Sequence, residues 1–219
     1  MPKEFKNIYL TAAQNLFGPL PANLGIEEKN LLDTAKDLGV NIPKALHDYY
    51  IALGNFKRLN EAHNRLLSPS EWFVDADYVV FMEENQCVVF WGVPSKSDKG
   101  FDTAVYQGTN AEEDPIEWYL EHRSCSEFLL AMMHWQAACG GLDWAGLAEL
   151  EKTDIKHFQN HWQHVGQIND LQAFYCLGQA ACIIGAGDGL QAFVGARTEE
   201  IFNEMADELE SVGIEIEEL

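Results

Sequence analysis

The stretch Phe81-Met-Glu-Glu-Asn-Gln-Cys-Val-Val-Phe-Trp91 decides how this chain reads. An apolar run, Tyr78-Val-Val-Phe-Met82, meets the polar turn Glu83-Glu84-Asn85-Gln86. A second apolar run, Cys87-Val-Val-Phe-Trp91, comes directly after it. Two short apolar runs around a tight polar turn predict a pair of strands. The stretch carries no nucleophile–base pair and no metal-ligand spacing, so it speaks to fold before chemistry.

Outward from it, the N-terminal side is helical. Phe5 to Phe17 predicts a helix that ends at Gly18. Glu27 to Leu38 predicts a second, with Leu31, Leu32, Ala35 and Leu38 on one face and Gly39 as its stop. Pro43 suits the first position of a third, whose apolar side is Leu46, Tyr49, Tyr50 and Leu53 and whose end is Gly54. A short helical turn is expected over Asn60 to Leu66, and a loop or capped turn over Ser68 to Trp72. On the other side, Thr103 to Tyr106 and Ile116 to Leu120 add strands after Cys87 to Val93. A long helix from Ser126 then runs to Gly140-Gly141. Helices, then a sheet, then a closing helix define an α+β pattern, with a mostly antiparallel sheet.

After Gly141 the pattern restarts. Trp144 to Leu150 reads as helix. Four short strands come next, at Trp162 to Ile168, Leu171 to Leu177, Ala180 to Ala186 and Leu190 to Ala196. Their turns are Asn169-Asp170, Gly178-Gln179 and Gly187-Asp188-Gly189. Thr198 caps a last helix with Glu199 and Glu200 in its first turn. Ile214 and Ile216 alternate with acids, as an edge strand would. The expectation is two domains, residues 1–141 and 142–219, the second a smaller α+β unit of a four-strand meander plus helix.

Composition bounds function. The 219 residues are 47% hydrophobic, with six Trp and twelve Phe, which is globular and enough for a core without staples. A net charge of −21 repels nucleic acid phosphates and anionic lipid heads and favours a basic partner. Cys87, Cys125, Cys139, Cys176 and Cys182 are odd in number and form no C-x-x-C pair, so a reducing cytoplasm is expected. The first residues lack the apolar core of a signal peptide, and the longest apolar stretch, Leu171 to Ala186, is interrupted by Gln172, Gly178 and Gln179.

The first unit resembles the SUKH superfamily of bacterial toxin-immunity proteins, with relatives among yeast cell-wall synthesis regulators. Ile42 to Asn55 looks like its proline-started helix ending in glycine, and Leu66 to Trp72 like the loop after it. Glu83 to Trp91 looks like its strand–turn–strand element, and Ser126-Glu127-Phe128-Leu129 like the start of its closing helix. The likeness covers residues of about 20–141; compact family members lack the C-terminal extension. It implies a non-catalytic protein that binds and neutralises a toxin domain, with no cofactor and no catalytic residue carried over; the net charge of −21 makes a basic toxin domain the expected partner.

Residue patterns nominate few sites. Glu83, Glu84, Trp91, Glu112, Glu113 and Asp114 are the candidate contacts for a basic partner; the acids also read as solvated turns. Trp72, Trp118 and Trp135 are, like Trp91, core anchors or contact hot spots. His157, His161 and His164 share a helical face on paper, which would suit Zn²⁺. A helix-to-strand change near Trp162 would separate them, so no metal is expected. Gly185-Ala-Gly187-Asp-Gly189 precedes a strand, not a helix, and reads as a hairpin turn instead of a phosphate loop. Cys125 near His122 is no nucleophile signature by spacing alone. A regulatory scaffold and a metal-dependent hydrolase remain as alternatives.

Overall fold

Phe5, Tyr9, Ala13 and Leu16 recur at helical spacing and are all buried, so Phe5–Phe17 winds as α1 and stops at Gly18, which lies at φ +77°. This computed structural model describes residues 4–96, 102–109, 115–187 and 189–219. The chain is α+β. It divides into two compact units, one of residues 1–11 and 21–129, the other of residues 12–20 and 130–219.

In the first unit, α2 (Glu28–Asp37) buries Leu31 and Ala35, while Leu32, predicted on the same face, is 50% exposed. Pro43 stands one residue before α3 (Lys44–Leu53), as its N-cap and not inside its first turn. Gly54 comes next at φ −57°, so its need is space: a Cβ there would sit 2.7 Å from the Tyr50 carbonyl and 2.8 Å from Ile26. The turn expected over Asn60 to Leu66 is instead α4 (Lys57–Asn60) followed by β1 (Arg65–Leu66). Asn60, buried, accepts from Tyr49 Oη at 2.9 Å and donates to the Leu53 carbonyl, which draws helix early. Ser68 and Glu71 close a capping box on the 3₁₀ turn Pro69–Glu71.

The sheet of this unit has β2 (Phe73–Asp75), β3 (Tyr78–Glu83), β4 (Val89–Pro94), β5 (Val105–Thr109) and β6 (Glu117–His122), all antiparallel. Its order is β1-β3-β4-β5-β6, with β2 also on β3. β2 carries no sequence signal: three residues are too few for a period to register. Cys87, expected in the second strand, lies in the turn at φ +58°. Phe81 and Trp91 point to Phe128 at the start of α5 (Cys125–Gln136), at ring distances of 6.2 and 6.0 Å. Tyr50 Oη donates to the Leu67 carbonyl at 2.6 Å and accepts from Trp72 Nε1 at 2.9 Å. Helices therefore cover one face of this sheet.

In the second unit, α5 gives way to a π-type turn, Ala137–Gly141, in which Gly140 takes φ +104°. This turn packs against the C-terminal sheet. A Cβ at Gly195 would lie 3.0 Å from the Ala137 carbonyl, so turn and strand backbones meet at that glycine.

Trp144–Leu150 is β7, a strand and not the predicted helix. Alanine, leucine and glutamate favour helix locally, but all seven positions pair with β11 (Gly189–Ala196), from Trp144↔Ala196 to Leu150↔Leu190, and tertiary pairing overrides propensity. α6 (Ile155–His161) leads to β8 (Gln163–Ile168), β9 (Leu171–Cys176) and β10 (Gln179–Ala186). The β8-β9-β10-β11 meander stands as read, extended by β7 and by β12 (Glu217–Glu218) into a six-stranded sheet ordered β12-β7-β11-β10-β9-β8. The β9–β10 turn is Leu177-Gly178, at φ +40° and +87°, one residue earlier than expected. Thr198 caps α7 (Glu199–Ser211) by accepting from the Ile201 amide. On one face of this sheet, Phe158, Phe174, Phe202, Met205 and Leu209 form the core with the strands. On the other, Trp135 meets Phe193 at 5.1 Å and His134 meets Tyr175 at 6.3 Å. Among the described residues no helix is long and apolar enough to cross a membrane, and all five cysteines are free thiols.

Candidate functional site

The face of the first unit's sheet turned away from α3 and α5 is built from alternate residues of five strands. Pairing of Phe73 with Val80 and Asp75 with Tyr78 puts those residues on one face, and Gly92, Tyr106, Gly108, Trp118 and Leu120 continue it. Gly92 and Gly108 are the keys to its shape. A Cβ at either would come within 3.1 or 3.0 Å of the Trp118 ring, so the indole lies across a floor only glycine leaves open. There it stacks on Tyr78 at 4.6 Å and 29°, and Tyr78 meets Tyr106 at 4.7 Å. Phe73 and Phe90 meet edge to face at 5.6 Å. Val80 beneath is fully buried, yet Phe73 is 36% exposed and Leu120 50%.

Carboxylates edge this aromatic platform. Trp118 Nε1 donates to Asp75 Oδ2 at 2.8 Å, which holds both the ring and the acid in place. Glu83, paired across from Phe90, is reached by Arg65 Nε at 2.7 Å. Arg65 also binds Glu71 at 2.5 Å. The Ser68 hydroxyl and Arg65 hold the Glu71 carboxyl down at about 2. On the opposite face of the same strand, Glu117 accepts from the Tyr119 hydroxyl, which raises that phenol's pKa.

The nominated contacts therefore divide. Glu83 sits at the platform's margin with its charge shared by Arg65. Glu84 accepts from the Gln86 amide at 2.8 Å and shapes the turn. Trp91 is a core residue, 7% exposed, on the helix-covered face. Glu112, Glu113 and Asp114 lie outside the described residues. The aromatic platform is not among the sites the sequence nominates. Its signal is the pair of glycines inside strands, which mark close approach of another group.

Other groups do less. His157 and His161 stack on α6 at 4.5 Å, His157 bonding Glu208 at 3.1 Å, whereas His164 is on β8 against Phe174. The helix-to-strand change expected near Trp162 is present, and no group of three or more His, Cys, Asp or Glu among the described residues is arranged to hold a metal ion. Cys125 is fully buried, which pushes its thiol well above its ordinary value, and the His122 ring turns to Ser124. A cleft of about 910 Å³ beside α2 is lined by Glu27, Asp33 and Asp37 with Asn23, Asn30 and Asn55. It is acidic but has no aromatic anchor. No family model, curated protein or solved structure matches the chain.

Proposed function

We propose that this chain is a non-catalytic binding protein that captures a basic toxin domain and neutralises it, the role implied by the SUKH resemblance of its first unit. The observation that supports this reading most is the half-exposed aromatic platform of Phe73, Tyr78, Phe90, Tyr106 and Trp118 edged by Asp75 and Glu83. Aromatic rings supply contact area at low entropic cost, and protein interfaces concentrate them at their centres. The surrounding acids, on a chain of net charge −21, select against acidic partners and draw basic ones. A toxin that acts on nucleic acid must carry Lys and Arg in its cleft to hold phosphates. Carboxylates of this chain would occupy that cleft in their place.

The test takes any toxin-like domain found in the reading frames that flank this chain's gene. Co-expression should restore growth, and association should slow strongly between low salt and 1 M salt, where the Debye length is about 3 Å, while dissociation changes less. A salt-independent association rate would remove the electrostatic part. Failure to bind or protect would remove the immunity reading and leave the regulatory scaffold in its place.

A further inference from the structure

The margins of a sheet carry backbone N–H and C=O groups without a strand partner, and proteins guard them. Most margins here are guarded. β1 is two residues long with Arg65 tied to Glu71 and Glu83. β2 has three residues. β12 is two glutamates. β8 is interrupted by a register shift between His164 and Gly166 and exposes no large apolar side chain. β6 differs. Glu117 to Leu120 pair in unbroken register with Thr109 to Tyr106, and the register shift falls beyond them, toward His122. No described strand pairs with the outer side of β6. Tyr119 is 55% exposed and Leu120 50%, with no proline and no lysine in the strand.

We propose that β6 receives a strand of the basic partner, added edge to edge to this sheet; this rests on the function proposed above. Side chains alternate across a strand. Trp118 and Leu120 lie on the platform face, Glu117 and Tyr119 on the other. An added strand therefore meets apolar neighbours on one side and a carboxylate beside a phenol on the other. The strand that fits has four or five residues alternating Val, Ile or Leu with Lys or Arg. Main-chain hydrogen bonds supply its attachment, and the alternation supplies its selectivity. The occupant is not a second copy of this chain: that would bring two edges bearing Glu117 together on chains that each carry −21.

The probe is a blocked Lys-Val-Lys-Val-Lys peptide, with a Glu-Val alternation, a Lys-Lys-Lys-Val-Val block and a backbone N-methylated form as comparisons. Binding is read by Trp fluorescence and by amide hydrogen exchange over residues 117–120. The alternating basic peptide should slow exchange there. Binding should weaken roughly tenfold or more on N-methylation, and equally in the double variant Tyr119→Lys, Leu120→Lys, which installs the usual edge guard on exposed positions. Equal binding of the block or N-methylated peptide overturns the proposal, since charge alone would then suffice. So does absence of binding at millimolar peptide. With the toxin domain itself, salt-sensitive association that leaves exchange at 117–120 unchanged overturns strand addition alone. Peptide binding without any toxin binding overturns the immunity reading alone.

Discussion

The two sheets of this protein are treated differently. The second unit covers both faces: Phe158, Phe174, Phe202 and Met205 on one side, and Trp135 with the Ala137–Gly141 turn on the other. The first unit covers one face and leaves Phe73, Tyr78, Phe90, Tyr106 and Trp118 half exposed on the other. A sheet buried on both faces uses its side chains for stability. A sheet with an open aromatic face holds contact area in reserve. The difference teaches where to look for function: in the unit whose packing is incomplete.

The largest expected effect tests the closed sheet. Phe174 is fully buried, and Phe174→Ala should cost about 3–5 kcal/mol in urea unfolding through lost burial and the cavity it leaves. A loss below about 1 kcal/mol would mean the second unit is not packed on that face.

Acid should separate the units next. Burial lowers the His134 pKa from 6.5 to about 4, despite its bond to the Leu130 carbonyl, which acts the other way. The unfolded imidazole binds a proton below about pH 6.5 and the folded one does not until about pH 4. Its contribution is complete above 6.5 and is lost as pH falls from 6.5 to 4, by about 3 kcal/mol. Glu71 in the first unit behaves as a depressed carboxyl, losing its contribution only between about 4.5 and 2, and its exposure keeps that contribution small. Urea midpoints measured from pH 7.5 to pH 4 should fall in wild type and stay flatter in His134→Leu. Identical slopes would break this contrast.

On the open face, stability and binding should part company. Trp118→Ala loses the Asp75 hydrogen bond and the Tyr78 stack, worth about 1 kcal/mol of folding. The same change should weaken toxin binding by about 2 kcal/mol if the platform is the contact centre. Isothermal titration beside urea unfolding reads both. A folding loss larger than the binding loss would make the indole a structural cover.

The smallest effect is a gain. Leu177, 77% exposed at φ +40°, precedes Gly178 in a two-residue hairpin turn. Asparagine tolerates that conformation better, so Leu177→Asn should stabilise by about 0.5 kcal/mol, seen as a raised thermal midpoint. Destabilisation would show that Leu177 makes a contact its exposure conceals.

Legibility tracks the length of each pattern. α1, α3 and α7, with apolar residues repeated over two turns or more and glycine or threonine at their ends, are readable to within a residue or two. The β8 to β11 meander is readable from its turn residues. β2 is too short to read, and β7 misreads as helix because Ala145, Leu147 and Ala148 carry helix propensity. Of the nominated contacts, Glu83 reaches the platform's margin, while Trp91, named for its size, lies in the core.

By itself the sequence determined the α+β class, the order of most helices and strands and the strong acidity, because these depend on local period, turn chemistry and charge count. Tertiary structure alone decided that Trp144–Leu150 is a strand, since its partner β11 lies some forty residues away along the chain. It alone decided which aromatic residues are core and which form a surface. Side chains at period two announce that a strand has two faces, but the helices that cover one face are chosen by packing.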